Sequence, residues 1–185
     1  MNELEPIVTP RLELRPLTLA VVTALIDSRP RAEIEKLLGA ELPWAWPSRA
    51  LIDQAFPVSL EAIVKAPEQR LWGDRLITTR EDAPKIIGSV LFHGHPGSDG
   101  VAEIAYGIED GSQGHGYALE AVSACITWAL AQPECRIVRA STTVWHKGSK
   151  RLLEKVGMSL VATHHEQGAE KLTYEIVRGA PLGSP

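Results

Sequence analysis

Cysteine is scarce in this chain: Cys125 and Cys135 are the two among 185 residues. They form no closely spaced metal-type pair and are too few for a disulfide framework. Two reduced, structural thiols in a cytosolic protein are the expectation, with a single disulfide as the alternative. A basic surplus is missing as well. The formal net charge is −4 and the pI about 5.9, which argues against a general nucleic-acid binder. Long hydrophobic runs are absent: the charge-free apolar stretch Ala121–Pro133 falls short of the ~20 residues a membrane span needs. The acidic opening Met-Asn-Glu-Leu-Glu carries no secretory pattern. There are no internal repeats. Together these absences predict a cytoplasmic protein with neither a membrane nor a nucleic acid as partner.

What is present is ordinary globular material, 44% hydrophobic and 23% charged, in a chain long enough for one domain with a real core. Val8–Pro16, in which Arg11-Leu12-Glu13-Leu14-Arg15 alternates leucine with charge, reads as a half-buried strand. Leu19–Asp27 and Arg31–Leu38 have helical spacing, the second ended by Gly39. Glu41–Pro47 is a loop bearing Trp44 and Trp46. Arg49–Ala66 is helical, broken or kinked at Pro57. Leu71–Thr79, Lys85–Phe92 and Val101–Ile108 form a strand meander. Ala118–Ala131 is a helix with Ala118, Ala121, Val122, Cys125 and Ala129 on one face. Arg136–Thr143 is a strand and Gly148–Val156 a helix, ended by Gly157. Met158–Thr163 and Lys171–Val177 are two last strands. This order predicts a mixed sheet with helices on its faces. Residues 1–178 read as one domain, and Gly179–Pro185 as a disordered tail.

The most informative segment is Gln113-Gly114-His115-Gly116-Tyr117-Ala118, between a strand and a helix. A glycine-rich turn at a helix N-terminus exposes unpaired N–H groups at the positive end of the helix dipole. That suits a phosphate or pyrophosphate. A plain strand–helix turn is the competing reading. A P-loop or dinucleotide fold is disfavoured, since no Gly-Lys-Ser/Thr and no paired acid about 20 positions on accompany the glycines.

Several segments in order carry a resemblance: Thr9-Pro10-Arg11-Leu12-Glu13-Leu14-Arg15-Pro16-Leu17, Ile87-Gly88-Ser89-Val90, Glu103-Ile104-Ala105-Tyr106-Gly107-Ile108, the glycine hexapeptide, and Leu153-Glu154-Lys155-Val156-Gly157. Over roughly Val8–Val177 the chain resembles the GCN5-related N-acetyltransferase (GNAT) superfamily, in particular its ribosomal-protein N-terminal acetyltransferase-like branch. The resemblance implies a single-domain α/β (α+β) fold. Its mixed, mostly antiparallel sheet has about seven strands, helices on both sides and splayed central strands. It implies transfer of an acetyl group from acetyl-CoA to a primary amine, on a protein N-terminus or a small molecule, by direct attack in a ternary complex and without a metal. Homodimers occur in that branch. A non-catalytic acyl-CoA-binding or regulatory module of the same fold is the alternative. It is motivated by two departures: His115 stands where a basic residue is common, and His146 where asparagine is frequent.

On this resemblance the pyrophosphate would lie on Gln113, Gly114, His115, Gly116, Tyr117 and Ala118, and the pantetheine arm along Tyr106, Gly107 and Ile108. Gly107 fits a close backbone approach, a bulge, or a packing glycine. Glu103 is the candidate general base or a solvent-facing partner in an ion pair. Ser149 is the candidate acid for the leaving thiolate or a helix N-cap. His146 could serve as acid, base, cofactor contact or a loop histidine. Trp44 and Trp46 would wall the acceptor pocket or pack the first helices. Tyr174 reads as core or sheet surface. His93 and His95 lack the further ligands that a metal site needs. His164 and His165 read as a solvated pair.

Overall fold

A computed structural model describes residues 5–44, 56–65, 72–166 and 168–183. The chain forms strands β1 (Ile7–Val8) and β2 (Leu12–Pro16), then helices α1 (Leu19–Ile26), α2 (Arg31–Leu38) and α3 (Phe56–Lys65). Strands β3 (Asp74–Thr79), β4 (Ile86–Phe92) and β5 (Val101–Ile108) follow as a meander. Helix α4 (Tyr117–Ala131), strand β6 (Ile137–Thr143), helix α5 (Lys147–Lys155) and strands β7 (Ser159–Glu166) and β8 (Ala169–Val177) complete it. The eight strands form one sheet in the order β1-β2-β3-β4-β5-β6-β8-β7. Every pairing is antiparallel except β5 with β6.

Eight strands replace the seven expected because the first predicted strand is two. Thr9-Pro10-Arg11 forms a hook between β1 and β2, closed by the Thr9 N–H donating to the Leu12 carbonyl at 2.9 Å. Pro57 lies in the first turn of α3, where its missing N–H is an orphan donor in any case; residues 49–55 of that predicted helical region lie outside the described residues. After β8, residues 179–183 run back along the end of α5. A Cβ on Gly183 would sit 1.7 Å from the Lys155 carbonyl oxygen.

The helices split between two faces. Leu17, Val22, Leu25, Ile34 and Leu38 bury against Leu76 and Ile86 and put α1 and α2 on one face. Ala121, Val122, Cys125, Ile126 and Ala129 of α4 bury against Leu14, Ile77, Val90, Ala102 and Ile104 on the other. Alanine and cysteine there let the helix lie close to the sheet. Leu153 of α5 joins the same core. Both cysteines are free and buried. Burial pushes the Cys125 thiol up to about 12, against a weaker opposing pull from Arg75, so it serves as a packing group.

The feature that positions the site is a divergence. β5 pairs with β6 only at Val101–Glu103 against Ile137–Arg139. Past that point β5 stays with β4 as far as Ile108, and β6 stays with β8 as far as Thr143. A gap opens between the two strands.

Candidate active site

The gap has backbone groups to offer. Odd-numbered residues of β5 bond to β4: the Glu103 carbonyl accepts from the His93 N–H, and the Glu109 N–H donates to the Ile87 carbonyl, each at 2.9 Å. Alternation along an antiparallel ladder then turns the N–H and C=O groups of Tyr106 and Ile108 toward the gap. Gly107 keeps a continuous register with Ser89, so no bulge lies there. A Cβ on Gly107 would meet nothing within 4 Å, so it is not a packing glycine either. The close approach falls on Gly88, where a Cβ would lie 2.1 Å from the Gly107 oxygen.

Beyond β5 the chain turns through a short 3-10 segment, Asp110–Ser112, into the glycine loop. Gly114 and Gly116 have φ of +80° and +81°, a left-handed conformation that favours glycine. Gly116 is the N-cap of α4 and no side chain caps that helix. Among the described residues, nothing accepts from the N–H groups of His115 through Leu119. Gln113 faces inward: its side-chain amide donates to the Ile108 carbonyl at 3.0 Å and to Asp110 at 2.9 Å, which fastens the loop to the end of β5. The His115 ring meets the Ser112 carbonyl through Nδ1 at 3.3 Å and lies near-parallel to Tyr117.

On the α4 and α5 face, the Tyr106 and Ser149 hydroxyls meet at 2.9 Å. These residues come from β5 and from the first turn of α5, so the pair bridges the mouth of the gap. Burial pushes the Tyr106 phenol up, and its bond to Ser149 opposes this only in part; the hydroxyl therefore keeps its proton at neutral pH. His146 is the N-cap of α5, its Nδ1 accepting the Ser149 N–H at 3.1 Å. Accepting there requires a neutral ring with its proton on Nε2. The serine expected as an alternative cap is thus the capped residue.

On the opposite face, Glu103 lines a cavity of about 440 Å³ with Arg139, Ser141, His164, Lys171, Thr173 and Glu175. Arg139 is held by Glu175 at 2.6 Å. His164 is therefore part of a cavity wall. Tyr174 is buried, its hydroxyl 3.3 Å from Glu154. Trp44 is 95% exposed; Trp46 lies outside the described residues. Trp145, which the sequence reading passed over, is 71% exposed and lies near-parallel to the His146 ring. Its signal was its place just before a helix start. Among the described residues no three His, Cys, Asp or Glu side chains gather as a metal cluster, and no helix is long and apolar enough to cross a membrane.

A sheet split at its middle, with an uncapped glycine turn beside the split, defines the N-acetyltransferase fold. Residues 11–159 match the family model described as acetyltransferase (GNAT) domain, and the chain belongs to that family. It is an N-acetyltransferase. A curated relative, the uncharacterized N-acetyltransferase YjdG of Bacillus subtilis, is 29% identical over 82% of this chain and 88% of its own length. A putative ribosomal-protein-serine acetyltransferase from Vibrio cholerae superposes with a TM-score of 0.65 at 19% identity, over 96% of this chain and 99% of that one. The ribosomal L7/L12 α-N-protein acetyltransferase RimL, solved in complex with coenzyme A, has a TM-score of 0.65 at 17% identity, over 96% of this chain and 100% of that one.

Proposed function

We propose that this enzyme moves an acetyl group from acetyl-CoA to a primary amine by direct attack within a ternary complex. The observation that carries the reading is the gap between β5 and β6, with Glu103 on one face and the Tyr106–Ser149 pair on the other. The glycine-loop N–H groups receive the pyrophosphate, and the pantetheine arm runs along Tyr106 to Ile108. The acceptor amine enters from the Glu103 cavity. Glu103 takes a proton from the ammonium through a water, because a charged amine has no lone pair to attack with. The nitrogen bonds to the thioester carbon, and a β5 N–H in the gap stabilises the charge that develops on the carbonyl oxygen. The carbon–sulfur bond breaks, and the departing thiolate takes a proton from the Tyr106–Ser149 pair. The second amine proton leaves with solvent.

The acceptor is the N-terminus of a protein or peptide, or a small-molecule amine. An open cavity of about 440 Å³ admits either. The test is release of free CoA thiol across a panel of N-terminal peptides and small amines. Glu103→Gln should lower turnover about 100-fold while leaving CoA affinity unchanged. Full activity in both Glu103→Gln and Ser149→Ala would remove the assigned roles. Silence of the wild type across a broad panel would count against the transfer itself.

A further inference from the structure

The glycine loop has no fixed cation of its own: between Gln113 and Leu119 the single ionisable base is His115. The Arg11 guanidinium nevertheless lies against it. Its Nη1 donates to the His115 carbonyl at 2.9 Å, and its Cζ sits 4.7 Å from the centre of the Tyr117 ring. Nη2 would lie 3.4 Å from a Cβ on Gly116. One guanidinium thus touches His115 and Tyr117 and lies beside the Gly116 between them. The Arg11 side chain is 49% exposed, and Nη2 has no acceptor among the described residues.

Arg11 is held there firmly. Glu120, in the first turn of α4, accepts from the Arg11 Nε at 2.7 Å, the Arg11 N–H at 2.9 Å and the Thr9 hydroxyl at 2.6 Å. Arg80 fixes the hook from behind, its N–H on the Arg11 carbonyl and its Nη1 on the Thr9 carbonyl. The carboxylate engages the Nε edge and spreads its charge over three donors. The Nη edge remains on the loop side.

We propose that Arg11 is the permanent positive charge of the coenzyme A pyrophosphate cradle, delivered by the hook before β2 to a loop that carries only a histidine. This rests on the acetyl-CoA reading above. A guanidinium keeps its charge across the physiological range and presents a planar fork to phosphate oxygens. The Thr9–Leu12 hook is therefore part of the binding site as well as the start of a strand.

The test is calorimetric binding of three probes at low salt: CoA, 3′-dephospho-CoA, which keeps the pyrophosphate, and pantetheine, which lacks it. Arg11→Gln should weaken CoA and 3′-dephospho-CoA about tenfold, in line with loss of one charge-assisted contact, and leave pantetheine unchanged. Arg11→Lys, which keeps the charge but not the planar fork, should recover part of the loss. A thermal melt of each variant checks that it is folded. Equal weakening of all three probes would overturn the proposal, because a distorted loop harms every ligand. A loss for CoA that vanishes with 3′-dephospho-CoA would overturn it too, by moving the charge to the 3′-phosphate. Failure of Arg11→Lys to recover any affinity would overturn the charge assignment. If the wild type does not bind CoA, the acetyl-CoA reading falls and this inference with it.

Discussion

Two helices begin beside the gap between β5 and β6, and they begin in opposite ways. Helix α4 starts from Gly116 in a left-handed conformation with no side-chain cap. Helix α5 starts from His146, whose ring accepts the Ser149 N–H. Both turns carry the same orphan donors and the same sign of dipole. One leaves the donors open to an external anion; the other satisfies one internally and turns the Ser149 hydroxyl toward Tyr106. A glycine turn alone says little about function. Its meaning comes from the contrast with a neighbouring terminus that is closed.

The strongest way to break the contrast is to close α4. Gly116→Asp puts a carboxylate at the open terminus and forces a side chain into φ of +81°. Repulsion and backbone strain together should weaken CoA binding roughly 100-fold, about 2.7 kcal/mol. Calorimetry with CoA reads this directly. Unchanged affinity would mean that the anion does not sit at α4.

The converse is to open α5. His146→Ala removes the cap and should cost about 1 kcal/mol, seen as a fall in Tm of about 2–4 °C. CoA affinity should stay within about twofold, since the Ser149 N–H is already engaged in the native state. His146→Asn offers a side-chain acceptor again and should hold the Tm. A large fall in CoA affinity in both variants would give His146 a cofactor contact instead, and the two termini would no longer contrast.

Much of this was legible locally. Alternation marked Val101–Ile108, helical spacing marked α4, and the glycine pattern marked the turn between them. Each is a property of residues close in sequence. The rest depends on contacts that only the folded chain makes. Arg11 reaches Glu120 across 109 positions, and Tyr106 reaches Ser149 across 43. Nothing in the Thr9-Pro10-Arg11 triplet says that its guanidinium will lie against a distant loop. For His146 the sequence left an acid, a base, a cofactor contact and a loop histidine open together. The fold adds a role that none of these named, as the N-cap of α5, through the ring nitrogen that accepts the Ser149 N–H. The missed β1–β2 break has a similar cause: the alternation of Arg11–Arg15 was extended back across Thr9 and Pro10, and the hook is stabilised from outside the strand by Arg80 and Glu120.

The smallest expected effect concerns the carboxylate that α4 has in its first turn and α5 lacks. Burial alone would raise the Glu120 carboxyl, but bonds from the Thr9 hydroxyl and from the Arg11 N–H and guanidinium, with the Arg11 charge, outweigh it and hold the group below its usual value of 4.5. A lowered folded value means that the unfolded chain binds more protons over this interval, so stability is lost as pH falls. The contribution is complete above the ordinary glutamate range and vanishes as pH drops through the folded value. Glu120→Gln should therefore lower stability at pH 7 by about 0.5–1 kcal/mol, as expected for a partly screened charge-assisted contact. The gap between variant and wild type should narrow as pH falls below 4.5. Chemical denaturation at a series of pH values measures it. A gap that stays constant down to strongly acidic pH would mean that Glu120 anchors the hook by shape and neutral hydrogen bonds, and that charge has no part in how the α4 terminus differs from that of α5.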